Sequence, residues 1–354
     1  MNQIELTESA LKLLQELISI ESFSKEEDKT ADAIQAWLAQ YNIPTERDGN
    51  NIIAKNKCWD DSKPTLLLNS HHDTVKPNTA YTKDPFHPHI EEGKLFGLGS
   101  NDAGGPLVSL LATFVHYYDG ENLTHNILMV ASAEEENAGE NSLRGLLPKL
   151  PTIDVAIVGE PTLMQLAIAE KGLVVFDAVI KGTPSHAAHP NTDNPIYNAI
   201  EVLNWFKNYK FNKTSESLGD VKMTVTQISA GTQHNVVPAH VDLVVDVRVN
   251  DVYSNKEIAD LLKKDAPCEL KERSLRLNSS NINKEHPLVK SGIVLGRATY
   301  GSPTLSDQAA LSCQSLKLGP GDSTRSHSAN EFIYVDEVEE GIDLYIKILK
   351  GFLH

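Results

Sequence analysis

The chain has 354 residues, 40% of them apolar, and a formal net charge of −16. This length and apolar content suffice for two domains with real hydrophobic cores. Partnership with nucleic acid or an anionic membrane is not expected, because both require clustered Lys and Arg. No stretch approaches the roughly 20 apolar residues of a membrane span, and the start lacks the basic and apolar regions of a secretion signal. A cytoplasmic location is therefore expected.

The first part of the chain predicts an α/β domain. Thr7 is placed to cap an amphipathic helix through Leu11, Leu14 and Ile18, and a second such helix runs from Ala31 to Tyr41. A Leu- and Val-rich helix is predicted later in this part, and strand-like runs stand at 51–55, 65–69, 127–131 and 155–158. The last two runs are apolar without alternation, as in strands covered on both faces. A mostly parallel sheet is therefore expected.

From residue 172 the pattern changes to that of a smaller α+β domain. Strand-like and helical segments follow in the order β-α-β-β-α-β, the order of a ferredoxin-like domain. Val241, Leu243 and Val245 alternate with other residues, which indicates a sheet with one open face. The closing segment returns to α/β texture, with a strand at 315–318 and a final helix. We therefore predict one domain from residues 1–171 and 283–354 and an inserted domain at 172–282.

Three consecutive carboxylates, Glu134, Glu135 and Glu136, follow the apolar run 126–131 directly. Ligands bind at the carboxyl ends of strands in α/β sheets, and acids gathered there repel one another unless a cation compensates them. With a metal ion, one Glu can be a ligand while its neighbour acts as general base for an activated water. Taken alone, such a run is more often a solvated acidic loop. The other predicted strand ends decide between the two interpretations.

Those strand ends carry further metal-binding groups. His71 stands at the end of the strand 65–69. In an extended chain Asp73 lies on the same side as His71, where it can orient the imidazole. Asp102 stands in a glycine-rich stretch, where its charge argues against a dinucleotide-binding loop. Glu160 follows the strand 155–158, and His327 lies in a loop after the strand 315–318. Two histidines and several carboxylates suit two Zn²⁺ or similar ions that share one carboxylate.

In this combination and order, the chain resembles the metal-dependent family of acetylornithine deacetylase, succinyl-diaminopimelate desuccinylase, aminoacylases and carboxypeptidase G. The resemblance spans nearly the whole chain and rests on these motifs: His71-His72-Asp73, the glycine-flanked Asp102, Glu135-Glu136, Gly159-Glu160-Pro161 and the late His327. It implies that Asp102 bridges two Zn²⁺ ions, with Co²⁺ or Mn²⁺ as possible substitutes. One ion takes His71 and Glu160, and the other takes Glu136 and His327. Glu135 is then the general base and acid.

For the inserted domain, the resemblance implies a lid through which two copies form a homodimer. His186 matches the histidine that polarises the scissile carbonyl, often from the partner subunit. His189 stands close by, so the residues alone leave the choice open, and the match favours His186. Asn235 and Arg248 match the substrate-binding asparagine and the carboxylate-binding arginine of the family.

The chain departs from the family pattern at two positions. Gly104 stands where many members have a Lys two residues after the bridging Asp, and Glu134 stands where they have Asp. The first change removes a positive charge near the site, and the second is chemically mild. Neither affects a proposed ligand.

The activity that the resemblance implies is hydrolysis of a small-molecule N-acyl amino acid, with N-acetylornithine of arginine biosynthesis as the expected substrate. Alternatives are N-acetyl-lysine, N-acetylcitrulline, a succinylated amino acid and the substrates of a dipeptidase or carboxypeptidase. A succinyl group calls for an extra cation, for which Arg325 is the candidate. A binding protein without activity is disfavoured because every matched position is intact. A mononuclear deaminase is disfavoured because no suitable Cys or HxE cluster is present.

Overall fold

The computed structural model describes residues 3–354. In chain order its helices are α1 Gln3–Ile18, α2 Asp28–Ala39, α3 Gly105–Tyr117, α4 Leu143–Leu146, α5 Pro195–Asn208, α6 Asn255–Asp265, α7 Pro287–Val294 and α8 Val335–Leu353. The strands are β1 Glu46–Asp48, β2 Asn51–Lys55, β3 Thr65–His71, β4 His89–Glu91, β5 Lys94–Phe96, β6 Asn126–Ser132, β7 Val155–Val158, β8 Leu166–Glu170, β9 Gly172–Lys181, β10 Ser185–His186, β11 Lys222–Ala230, β12 Val236–Val237, β13 His240–Val249, β14 Glu269–Glu272, β15 Ser280–Asn281, β16 Thr299–Ser302, β17 Gln314–Lys317 and β18 Phe332–Tyr334.

The chain forms two compact units. The first contains the residues up to Ile168 together with Asn281–Tyr300 and Ser306–His354. The second contains Ala169–Ser280 and Gly301–Leu305. The short segment belongs to the second unit through close backbone packing, since a Cβ added at Gly301 would lie 2.1 Å from the carbonyl oxygen of Ser217.

The first unit is organised around a mostly parallel sheet, as the sequence predicts. Its strands run in the order β1-β2-β6-β3-β7-β17-β8. The central strands β6, β3, β7 and β17 are parallel to their neighbours in this group, whereas β2 pairs with β6 in the antiparallel sense. The carboxyl ends of these four strands therefore lie at one edge of the sheet.

Both faces of this sheet are buried, which explains the apolar runs without alternation. Leu66 and Leu68 of β3 pack into the larger core with α1, α2, α3 and α8, whereas Leu67 packs into a smaller cluster that includes Leu143 and Leu146 of α4. Thr7 does not cap α1 as predicted: it lies one turn inside the helix, where its hydroxyl donates to the Gln3 carbonyl (3.0 Å).

The second unit has the predicted ferredoxin-like arrangement. Its four-stranded sheet has the order β11-β13-β9-β14, and all neighbours are antiparallel. Alternate residues of β9, from Val174 to Ile180, are buried in one core with residues of α5 and α6. The last strand of this sheet, β14, is short and ends at Glu272. The alternation of apolar residues therefore identifies the face of the sheet that α5 and α6 cover.

Within residues 3–354, no helix is long and apolar enough to cross a membrane.

Candidate metal centre

The candidate ligands of the first unit meet at the carboxyl edge of the main sheet. His71 is the last residue of β3, the acidic run follows β6, and Glu160 follows β7. His327 lies in the loop between β17 and β18, and Asp102 lies in a short distorted helical turn, Ser100–Gly104, that leads into α3. The sheet therefore brings together residues that are far apart in the sequence.

Asp102 lies between the two histidines. Its Oδ1 is 3.3 Å from Nε2 of His71, and its Oδ2 is 3.7 Å from Nε2 of His327. Each histidine also faces its own glutamate. His71 Nε2 lies 3.8 Å from Oε1 of Glu160, and His327 Nε2 lies 3.1 Å from both carboxylate oxygens of Glu136.

This donor set fits a pair of divalent ions. Ligand atoms of His71, Asp102 and Glu136 all lie within 4.8 Å of one another, so the ligand sets of the two ions adjoin each other at Asp102. Imidazole nitrogens and carboxylate oxygens are the ligands that Zn²⁺ and related ions use in proteins. A carboxylate with one oxygen toward each histidine has the geometry of a bridging ligand.

The electrostatics of the site show the same need for positive charge. Burial opposes protonation of His71, yet its hydrogen bonds with Asp102 and Asp73 raise its pKa well above the ordinary value. The hydrogen bond with Glu136 raises the pKa of His327 to about 9. Burial, together with the charge of Asp102, raises the pKa of Glu160 to about 8. Protons thus compensate charge that bound cations would otherwise balance.

Glu135 differs from its neighbours in having an uncommitted carboxylate. Within residues 3–354, no hydrogen bond or ion pair holds its side chain, whereas Glu136 contacts His327. Burial, followed by the charges of Glu160 and Asp307, raises the pKa of Glu135 well above the ordinary value, against the opposing effect of His71. A free carboxylate with a raised pKa beside a metal centre is suited to accept and return a proton.

Asp73 has a broader role in the structure than the predicted orientation of His71. Nδ1 of His71 lies 3.0 Å from the backbone oxygen of Asp73 and 3.4 Å from its carboxylate. That carboxylate also accepts hydrogen bonds from the backbone N–H groups of Glu135 (3.1 Å) and Glu136 (3.2 Å) and from the Ser24 hydroxyl (2.7 Å). Asp73 therefore ties the acidic turn to the strand that carries His71.

His72, by contrast, points away from the site. Its Nδ1 pairs with the Thr30 hydroxyl (2.9 Å) and its Nε2 with the Asn50 carbonyl (2.9 Å). Burial lowers the pKa of His72 to about 4, so the ring is neutral at physiological pH. The second histidine of the pair is structural.

Both departures from the family pattern have structural explanations. A Cβ at Gly104 would lie 2.4 Å from the Gly99 carbonyl oxygen and 2.7 Å from a methyl group of Leu14, so this backbone has no room for a lysine there. The Glu134 carboxylate accepts hydrogen bonds from the side-chain amide (2.7 Å) and the backbone N–H (3.4 Å) of Asn141.

Arg325 is a poor candidate for a cation that binds a succinyl carboxylate. Its guanidinium forms two hydrogen bonds with Glu337, at 2.6 and 2.9 Å, and lies over the rings of Phe332 and Tyr334. Its charge is therefore already compensated.

The candidate residues of the second unit lie at its surface. His186 of β10 pairs in register with Val236 of β12, and the backbone N–H of Ala187 donates to the Asn235 carbonyl (3.0 Å), so His186 and Asn235 are neighbours. Both side chains are exposed. Arg248 lies on β13, in the separate four-stranded sheet, and binds Asp246 through two hydrogen bonds, at 2.9 and 3.1 Å.

Sequence reasoning did not identify two buried glutamates beside the candidate ligands. Glu27 accepts hydrogen bonds from the backbone N–H of Glu134 (3.1 Å) and from the Asn50 side chain (2.9 Å). Glu331 accepts three backbone N–H groups from the turn that carries Asp102. Neither residue follows a strand of the main sheet, and the available signal was only the short spacing between His327 and Glu331.

Comparison with known proteins shows the family of the chain. The model of the family described as "Peptidase family M20/M25/M40" matches residues 67–351. The chain belongs to this family. As a member of the M20 family it is a hydrolase of amide bonds, which confirms the class of reaction expected from the sequence.

Curated relatives of the M20 chain carry the name succinyl-diaminopimelate desuccinylase. The protein of this name from Rickettsia bellii (strain OSU 85-389) is 24% identical over 371 residues, which cover 95% of each chain. The one from Wolbachia pipientis subsp. Culex pipiens is 24% identical over 375 residues, covering 97% of this chain and 93% of the relative.

Solved M20 structures share the fold. A metallo-carboxypeptidase from Sulfolobus solfataricus superposes with a TM-score of 0.74 at 17% identity, covering 97% of this chain and 99% of its own. A Bacillus subtilis protein described as a dinuclear metal-binding peptidase gives 0.74 at 15% identity, with 98% of both chains covered. These likenesses confirm the predicted fold class.

Proposed function

We propose that this M20 chain is a dinuclear-metal amidohydrolase that removes the acyl group from an N-acyl amino acid. The observation that carries the proposal is the position of Asp102, with one carboxylate oxygen toward His71 and the other toward His327. On one side Glu160 completes the donor set, and on the other side Glu136 does. Zn²⁺ is the proposed ion, with Co²⁺ or Mn²⁺ as substitutes.

Bound ions would supply Lewis acidity that lowers the pKa of a water and polarises the scissile carbonyl. The chain's own residues would carry out the proton transfers. Glu135 takes the proton of the attacking water and returns it to the leaving amine. Asp73 holds Glu135 in place through the backbone N–H of that residue. The raised pKa of Glu135 favours the first of these transfers, because a carboxylate with a raised pKa is a stronger base.

His186 is proposed to donate a hydrogen bond to the carbonyl oxygen as negative charge develops there. The backbone N–H of Ala188 donates to Nδ1 of His186 (3.1 Å), which leaves Nε2 as the nitrogen that carries a proton in the neutral ring. Asn235, its neighbour, and Arg248 are proposed to bind the substrate. For Arg248 this requires that a substrate carboxylate replace or share Asp246.

A homodimer through the second unit is proposed as well. β11 is an edge strand of the sheet, and α5, which packs on it, exposes Ile196, Tyr197 and Ile200 by 44, 70 and 59%. An exposed edge strand beside apolar side chains favours association with a second copy. Size-exclusion chromatography with light scattering tests this, and a chain that stays monomeric at high concentration would refute it.

For the substrate, the motif pattern favours N-acetylornithine in arginine biosynthesis, whereas the named relatives favour a succinyl group. The proposal therefore keeps acetyl-amino acids first and succinylated amino acids as the second candidate. A cytoplasmic location is part of the same proposal, since biosynthetic N-acyl amino acids are small cytoplasmic metabolites.

The test is amine release from N-acetylornithine, N-acetyl-lysine, N-acetylcitrulline, N-succinylornithine, succinyl-diaminopimelate and a few dipeptides. Each substrate is measured after chelation, with and without added Zn²⁺. Zn²⁺-dependent turnover of one N-acyl amino acid is the expected result. A preference for dipeptides would refute the deacylase assignment, and no turnover with metal demonstrably bound would favour a binding protein.

A further inference from the structure

Glu331 is the buried acid most closely joined to the turn that carries Asp102. Its side chain is 2% exposed. Oε1 accepts hydrogen bonds from the backbone N–H groups of Asn101 and Asp102, both at 2.9 Å, and Oε2 accepts one from Gly99 at 3.1 Å. One carboxylate therefore fixes three N–H groups within four consecutive residues of this turn.

The turn needs such an external partner because its own backbone is irregular. Gly99 has a φ of 74°, in the left-handed region, and Asp102 has the extended values φ −120° and ψ 97°. These N–H groups therefore do not point along a regular helix or strand ladder. Buried N–H groups must be satisfied, and a carboxylate gives stronger hydrogen bonds than a neutral acceptor.

The segment 327–331, which ends at Glu331, also carries His327. The carbonyl of His327 accepts a hydrogen bond from the Asn78 side chain (3.2 Å), and Oδ1 of Asn330 accepts the backbone N–H groups of Thr82 (3.0 Å) and Lys83 (2.9 Å). After Glu331, β18 pairs with β5. The segment 327–331 is thus fixed along its length by neighbouring loops.

We propose that Glu331 is a positioning residue that sets the backbone of Asp102 relative to His327, and so fixes the spacing of the two metal positions. This inference rests on the proposed function, since it takes Asp102 as the shared ligand. Glu331 does not contact the metal positions itself and acts through the backbone of Asn101 and Asp102. Residues that hold metal ligands in this way typically change metal affinity by about 10–100-fold when they are replaced.

The test compares Glu331→Gln with the wild type and with Glu337→Gln. In Glu331→Gln the oxygen can still accept two N–H groups, but its NH₂ group would face the third donor, that of Gly99. Glu337→Gln is the control, because it also removes one carboxylate and breaks a partly buried ion pair with Arg325, but Glu337 has no hydrogen bond to the turn. Zn²⁺ affinity and stoichiometry are measured by competition with a chromophoric chelator, and melting temperature is measured with chelator and with Zn²⁺.

Glu331→Gln is expected to bind at least one of two Zn²⁺ ions about 10–100-fold more weakly than the wild type. It should also show a smaller rise in melting temperature on adding Zn²⁺, and a lower kcat that recovers at excess Zn²⁺ with an unchanged KM. Glu337→Gln should show wild-type Zn²⁺ affinity. If Glu331→Gln does not fold, Glu331→Asp, which keeps the charge on a shorter side chain, is measured in the same way.

A variant that melts earlier by the same amount with and without Zn²⁺, and binds Zn²⁺ as the wild type does, would show that Glu331 is only structural and would overturn the inference. Failure of the proposed function looks different. In that case the wild type itself binds fewer than two ions or releases no amine.

Discussion

The candidate residues of the two units differ in how the chain holds them. In the first unit, His71 and Asp73 are almost fully buried, with side chains 2% and 0% exposed, and hydrogen bonds connect them to the backbone or to other acids. In the second unit, His186 and Asn235 are exposed on a two-stranded ribbon formed by β10 and β12. His71 and Asp73 are thus built into a core, although His327 of the same unit is 54% exposed, whereas the proposed carbonyl-binding group lies on a surface.

This difference indicates two kinds of contribution to catalysis. Buried acids gathered at a sheet edge are costly without cations, so their arrangement is maintained for binding metal. An exposed histidine costs the fold little and is free to act only when substrate is bound. We therefore expect changes in the first unit to alter metal binding or the chemical step, and changes in the second unit to alter turnover without altering metal content.

The largest effect is expected from Asp102→Asn. The amide cannot bridge two cations as a carboxylate does, so Zn²⁺ binding should fall below two ions per chain and kcat/KM should fall on the order of 10⁴-fold. Metal analysis and amine release measure both. Because the change also removes charge from a crowded acidic site, the chelator-treated variant should not melt earlier than the wild type. Two tightly bound ions in this variant would contradict the bridging role.

Glu135→Gln should distinguish the role of the general base from the role of the metal ligands. Loss of a general base costs about 10²–10⁴-fold in kcat. Zn²⁺ content should stay at the wild-type value, because Glu135 is not among the proposed ligands. Glu136→Gln is the matched variant one residue later, and it should lose metal as well as activity. A Glu135→Gln enzyme with near-normal kcat would remove Glu135 from the proton transfer.

His186→Ala probes the surface residue. Loss of one donor to a developing oxyanion costs about 10²–10³-fold in kcat. Zn²⁺ affinity and melting temperature should be unchanged, since His186 is exposed and is not among the proposed metal ligands. His189→Ala is the control, three residues along the same loop, and should retain activity. If His189→Ala is the impaired variant, the assignment between the two histidines is reversed.

The smallest effect is a pH dependence of stability. In the metal-free protein the pKa of His327 is raised to about 9 and that of Glu160 to about 8, above their ordinary values of 6.5 and 4.5. The folded chain therefore holds these protons more tightly, and their contribution to stability is lost as pH rises through 8 and 9. The melting temperature of chelator-treated protein should fall between pH 6.5 and 9.5, with a weaker fall in His327→Gln.

Zn²⁺ should act in the opposite direction. Its ligands must be deprotonated, so the rise in melting temperature on adding Zn²⁺ should grow over the same pH range. A rise that is independent of pH would show that these histidines and acids do not take part in binding.

Sequence reasoning predicted the sheet correctly and placed the candidate ligands at its strand ends, because both inferences follow from local patterns. The strand Val155–Val158 was predicted with its observed bounds, and His71, Glu136 and Glu160 follow strand ends that parallel pairing must bring together. The alternation of β13 likewise predicted a one-faced sheet.

The remaining features depend on tertiary contacts that no local pattern encodes. Glu331 binds a turn more than two hundred residues away in the chain, as its hydrogen bond to the Asp102 N–H shows (|i−j| 229). The pairing of Arg325 with Glu337, which makes Arg325 unsuited to bind a succinyl carboxylate, is another such contact. The need for glycine at 104 arises from the approach of the Gly99 carbonyl. Such contacts are set only when the whole unit has folded.

The most direct test of the account is a Zn²⁺ titration of chelator-treated protein, with bound metal and amine release from N-acyl amino acids followed together. Two ions per chain are expected, with no turnover before metal is added and turnover that rises with occupancy. Full turnover in the metal-free protein, or saturation at a single ion, would contradict a centre in which Asp102 is shared by two metals.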